Sequence, residues 1–169
     1  MKRTVAVMMC VFSCSLLVAG TPGDPGKENA AFEKIKSLEG TWKGTGTDGK
    51  PVTITYTLVS DGTAMMESID SEEHKGSMIT MYHCDGDKLV MTHYCSMGNQ
   101  PHMRAAALTA DGKLAFSCTG GTNMKKTDAH MHALTFTFKG NDAFTQDWTM
   151  QEGGKDKMHA IMTMTRAHD

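Results

Sequence analysis

The chain has 169 residues, carries 17 Lys and Arg against 19 Asp and Glu, and has a formal charge of −2. That length bounds the chain to one domain once any targeting segment is removed. The charges are dispersed, and no run of Lys or Arg is interleaved with aromatics, so nucleic acid is excluded as the expected partner.

Residues 1–20, MKRTVAVMMCVFSCSLLVAG, open with basic Lys2 and Arg3. An apolar run from Thr4 to Leu17 follows, then the small residues Val18-Ala19-Gly20. This is the pattern of a cleaved signal peptide. The run is shorter than the roughly 20 residues a membrane helix needs. Cys14 follows Val-Phe-Ser rather than the small-residue box of a lipid anchor. The expectation is an exported protein, periplasmic or extracellular, with no membrane attachment after cleavage.

Processing removes two basic residues and no acids, which leaves 15 basic against 19 acidic side chains, a formal −4. Cys84, Cys95 and Cys118 remain, an odd number that implies at least one free thiol or an intermolecular bridge. This is not a disulfide scaffold. Thirteen of the sixteen methionines also remain. Methionine fills irregular core space, and its thioether also binds soft copper; packing is the preferred reading.

Residues 21–29, TPGDPGKEN, form a linker. Asn29 is placed to cap a short helix, AAFEKIKSL, with Phe32, Ile35 and Leu38 on one side and Gly40 at its end. Beyond it the period changes to two. Segments around 41–47, 52–60, 63–69, 76–84, 87–97, 102–109, 113–119, 131–139, 143–151 and 156–166 read as strands. They are separated by turn pairs such as Asp48-Gly49, Asp61-Gly62, Asp85-Gly86, Asp111-Gly112 and Gly153-Gly154. The fold expected for 30–169 is all-β: a single antiparallel up-and-down barrel of about ten strands behind one short helix.

LEGTWKGTG (Leu38 to Gly46) resembles the opening of lipocalin-like (calycin-type) barrels. The closing strand ends in TMTR, and the resemblance implies that Arg166 stacks on Trp42. MYHCDGDKLVMTHYCSMGNQPHMR resembles an exported bacterial lipocalin-like family of unknown function, whose members read Asp-Gly-Asp, Leu, Thr-His-Tyr-Cys and Gly-Asn-Gln-Pro. The likeness covers most of 30–166 and implies a fold but no activity. The opening is also distantly similar to nitrobindin-type barrels, which hold haem through a His near the C-terminal strands. His159 is the nearest counterpart, with His130 and His132 behind it.

Residues 91–104, MTHYCSMGNQPHMR, hold the densest chemistry. With Asp85-Gly86 as a two-residue turn and 98–101 as the next loop, one face collects Tyr82, Met91, His93, Cys95, Met97, His102 and Arg104. That face is taken as the interior, with the Gly98-Asn99-Gln100-Pro101 loop at the mouth; a single bulge would invert the assignment. Tyr82, Met91, His93, Cys95, Asn99, Gln100, His102 and Arg104 are then the ligand-binding candidates.

His93, Cys95 and His102 also have the donor types of a copper or zinc site. His93 beside Cys95 is a third, nucleophilic reading, with no third group to orient the imidazole. The HMH of residues 130–132 reads as an exposed turn. No phosphate loop, Ser/His/Asp array or carboxylate pair is present, so binding outweighs catalysis. The leading expectation is a monomeric or homodimeric barrel that holds a small apolar molecule, with copper, zinc or haem as alternatives.

Overall fold

The computed structural model describes residues 29–72 and 78–168. The signal-like segment, most of the linker and the first two residues of the fourth expected strand lie outside these. The helix α1 spans Ala30–Lys36. Ten strands follow: β1 Gly40–Thr45, β2 Pro51–Val59, β3 Ala64–Ser71, β4 Met78–Asp85, β5 Lys88–Tyr94, β6 Gln100–Ala105, β7 Lys113–Thr122, β8 His130–Lys139, β9 Ala143–Glu152 and β10 Lys155–Arg166. Each pairs antiparallel with its neighbour in sequence, and β1 pairs with β10 to close the barrel. Closure removes the two open edges that a ten-stranded sheet would otherwise expose.

The local causes are legible. Asn29 accepts hydrogen bonds from the backbone N–H groups of Ala31 and Phe32 and so starts α1. Gly40 turns the chain out of the helix at φ +115°, a conformation that side-chain-bearing residues rarely adopt. Along β2, Val52, Ile54 and Tyr56 are buried while their neighbours are not, the period-two pattern of a one-sided strand.

The helix covers one end of the barrel. Its buried residues Phe32 and Ile35 join the core. Asn29 bonds the backbone of the β4–β5 turn at Asp87, and Lys34 reaches the β8–β9 turn at Gly140. Arg166 fastens the same end. Its guanidinium lies 4.2 Å from the centre of the Trp42 ring and donates to the carbonyls of Ser37, Glu39 and Asn141. The stacking implied by the sequence resemblance is thus present.

Phe116, Phe136, Phe138 and Phe144 fill this half of the interior with edge-on and stacked ring contacts. Gly44 lets β1 and β10 meet: an added Cβ would overlap the Thr163 carbonyl and lie 2.8 Å from the Met164 sulfur. Among the described residues no helix is long and apolar enough to cross a membrane.

Candidate functional site

Past the aromatic layer the barrel crosses a buried polar one. Glu67 of β3 is fully enclosed. Its carboxylate accepts hydrogen bonds from the hydroxyls of Tyr56 at 2.7 Å and Tyr82 at 2.8 Å and from the amide of Gln146. Gln146 also donates to the Tyr56 oxygen and accepts from the Trp148 indole. Burial raises the Glu67 pKa, while the donors Tyr56, Gln146, Tyr82 and Thr80 oppose that rise by stabilising the anion. Burial and the nearby carboxylate in turn push both tyrosines well above their usual range, so they remain donors.

The network ends at His93. Its Nδ1 lies 2.9 Å from the Thr80 hydroxyl. In the tautomer with its proton on Nδ1, His93 donates to the Thr80 hydroxyl and Nε2 keeps its lone pair. The second ring nitrogen has no partner among the described residues. The ring packs against Trp148 with centroids 4.6 Å apart. Burial lowers the His93 pKa to about 4, so at neutral pH the imidazole is uncharged and its Nε2 is an acceptor.

His93 and Trp148 line a cavity of about 470 Å³ in the half of the barrel away from α1. Its walls carry six methionines, Met78, Met97, Met131, Met150, Met158 and Met162, together with Cys95, Ile69 and Val52. The β1–β2 loop (Gly46 to Lys50) and the Ser96–Met97 turn border it. Thioether and hydrocarbon make up most of the wall; Thr47, Asp48, Lys50, Ser71, Ser96 and His159 add polar groups to the lining, and His93 is the buried polar one among them.

The expected site residues divide here. Tyr82, Met91, His93 and Cys95 are buried and share the inner face. Tyr82 and Met91, directly paired, lie in the filled core rather than in the cavity lining. Asn99 is buried at the mouth, where its amide donates to the Ala129 carbonyl at 2.8 Å while its Oδ1 has no partner. Gln100 is tied to Thr122 and Asn123.

His102 and Arg104 are exposed and pair with Thr92 and Val90 on the outer face, so they do not join His93 and Cys95. The cause is the β5–β6 loop. Cys95 and Asn99 close a three-residue connection, with Gly98 at φ +82°, instead of the four-residue loop 98–101. The odd change in pairing inverts the face of β6. The β4–β5 turn also differs, since Asp85 pairs with Lys88. That shift is even, so the faces of β4 and β5 are kept.

His159 is exposed, pairs with Thr149 and bonds Asp147 at 2.9 Å. Ala160, beside it in sequence, pairs with the inward Trp148. The backbone alternation directs the exposed His159 toward the rim, where it borders the cavity. His93 and Cys95 share no hydrogen bond among the described residues. The sequence reading also missed the Glu67 network. A Glu between Met65 and Ile69 in an inward alternation was the available signal.

Neither family models nor curated proteins match this sequence. Among solved structures, the chain is similar to a protein of unknown function of the DUF3598 family from Nostoc punctiforme, with a TM-score of 0.56 and 16% identity. The match covers 79% of this chain and 48% of that one, so this chain spans about half the length of that protein. The class of molecule that fold and comparison define together is a closed ten-stranded antiparallel β-barrel.

Proposed function

We propose that this protein is an exported lipocalin-like carrier whose barrel holds one small, largely apolar molecule bearing a single hydrogen-bond donor. The observation that carries the reading is the neutral, buried His93. Its Nδ1 is committed to Thr80, and its Nε2 is free beside an apolar cavity of about 470 Å³. A pocket of that size falls within the range of small-molecule sites, where a few placed polar groups in a mostly apolar wall orient the ligand. Residues 1–20 support export.

The test is calorimetric titration with 4-propylphenol and with propylbenzene, which differ by one hydroxyl. The phenol is expected to bind one to one, about tenfold tighter than the hydrocarbon, as one hydrogen bond allows. His93→Phe should erase that difference. Equal affinity for both ligands in the unaltered protein would remove His93 from recognition.

A second reading, soft copper, is favoured by the six thioethers that share the cavity with His93 and Cys95. Anaerobic titration with Cu(I) tests it, since stoichiometric uptake should be lost in the Met131→Leu/Met150→Leu pair.

A further inference from the structure

Outside the cavity lining, Cys118, His130 and His132 each offer one donor atom, and the three atoms lie within 4.8 Å of one another. We propose that they form a site for a borderline divalent metal ion of the Zn²⁺ type, with the Cys118 thiolate and two imidazoles as ligands and a fourth position open to water.

The backbone builds this cluster through two irregularities. The β7–β8 pairing stops at Ser117–Ala133. Cys118 and His132, next along each strand, therefore stand where the two strands part. On the far side of β7 the register shifts between His102 and Met103, next to Cys118. On the far side of β8 it shifts between Met131 and Ala133, which makes His132 the extra residue. Bulges of this kind re-aim side chains. Here they flank the parted strands and coincide with ligand positions.

The two histidine donors are already spaced as around a bound ion. His130 is buried, and its Nδ1–H donates to the Asp128 carbonyl at 2.7 Å. That bond fixes the ring and leaves the lone pair on Nε2, the outer support that metal-binding histidines commonly have. Its Nε2 lies 3.2 Å from His132 Nδ1. Two nitrogens held tetrahedrally at about 2.0–2.1 Å from Zn²⁺ are separated by about 3.3 Å, so the pair needs little movement.

Without metal, His132 Nδ1–H donates to His130 Nε2. With metal, that proton resides on His132 Nε2 instead. Cys118, whose thiol donates to the Gly120 carbonyl at 3.3 Å, releases its proton to solvent. One thiolate with two imidazoles suits zinc, whereas calcium and magnesium require oxygen donors. Three protein ligands with an open fourth position is the pattern of zinc sites that bind water or a further ligand.

The experiment is titration of the purified protein with Zn²⁺ against a chromophoric chelator, repeated with Co²⁺ to read its thiolate charge-transfer band. One equivalent is expected, with the band present. Cys118→Ser and His132→Gln should each weaken binding by about 100-fold or more and abolish or alter the band, since even outer supports cost about 10–100-fold. The unaltered protein supplies a second readout that depends on no variant: Zn²⁺ should slow alkylation of Cys118 at least tenfold and leave Cys84 unchanged.

Absence of a one-equivalent site at micromolar Zn²⁺ would overturn the proposal, as would an unchanged alkylation rate. Binding lost in His93→Gln or Cys95→Ser but kept in Cys118→Ser would also overturn it, by moving the metal to the cavity. The phenol preference that tests the carrier reading is read separately from all of these.

Discussion

His93 couples the cavity to the protein's stability. Burial lowers its folded pKa to about 4 from 6.5. As pH falls through that window the unfolded chain takes up the proton first. The contribution is therefore complete above about pH 6.5 and disappears as pH falls toward 4. The linkage amounts to about 2 kcal/mol between about pH 7.5 and about pH 5. Glu67 acts in the opposite sense, since its raised pKa makes the folded form the better proton binder. Urea unfolding of the unaltered protein and of His93→Gln at both pH values isolates the His93 part, because Glu67 is common to both. The unaltered protein should lose about 2 kcal/mol more than the variant on acidification. Glu67 itself accepts from three donor groups, the Tyr56 and Tyr82 hydroxyls and the Gln146 amide. Glu67→Leu strands all three in the interior and should cost about 3–5 kcal/mol in the same unfolding assay.

The strands and their joins carry a second set of consequences. Gly44→Ala forces β1 away from Thr163 at the closing seam, an overpacking cost of about 3 kcal/mol, seen as a lower unfolding midpoint. Arg166→Lys should recover only part of the loss in Arg166→Ala. A lysine keeps the charge over Trp42 but cannot reach three carbonyls with a planar fork. Thermal unfolding of the two variants ranks them.

Nearly all of these elements were legible in the sequence. Alternation along segments such as 52–60 and the Asp-Gly turns located ten strands within a few residues, and Asn29 marked the helix start. The face of β6 was not legible. Ser96-Met97-Gly98 closes as three residues, and a one-residue difference in loop length inverts every side chain after it. His102 and Arg104 moved outside for that reason alone. The Cys118–His132 cluster was hidden in the same way, because two bulges create it and bulges leave little trace in hydrophobic pattern. Cys118 itself pairs with the buried Met103 beside one of these bulges.

In the molecule as a whole, the two ends of the barrel are built differently. The helix end is filled with aromatics and tied by Arg166. The other end keeps space, methionines and one uncharged imidazole. The interior is thus divided by the Glu67 layer into a part that holds the fold and a part available to a ligand. Flexible thioethers give such a cavity walls that can repack. The two tryptophans report on the two halves: Trp42 lies under Arg166, and Trp148 lines the cavity. The decisive measurement is Trp148 fluorescence during titration with 4-propylphenol, in the unaltered protein and in Ala160→Phe, which fills the cavity from its wall. A saturable one-to-one change in the unaltered protein that is lost in the filled variant is expected. No saturable change, or an unchanged one in Ala160→Phe, would contradict ligand binding in the barrel.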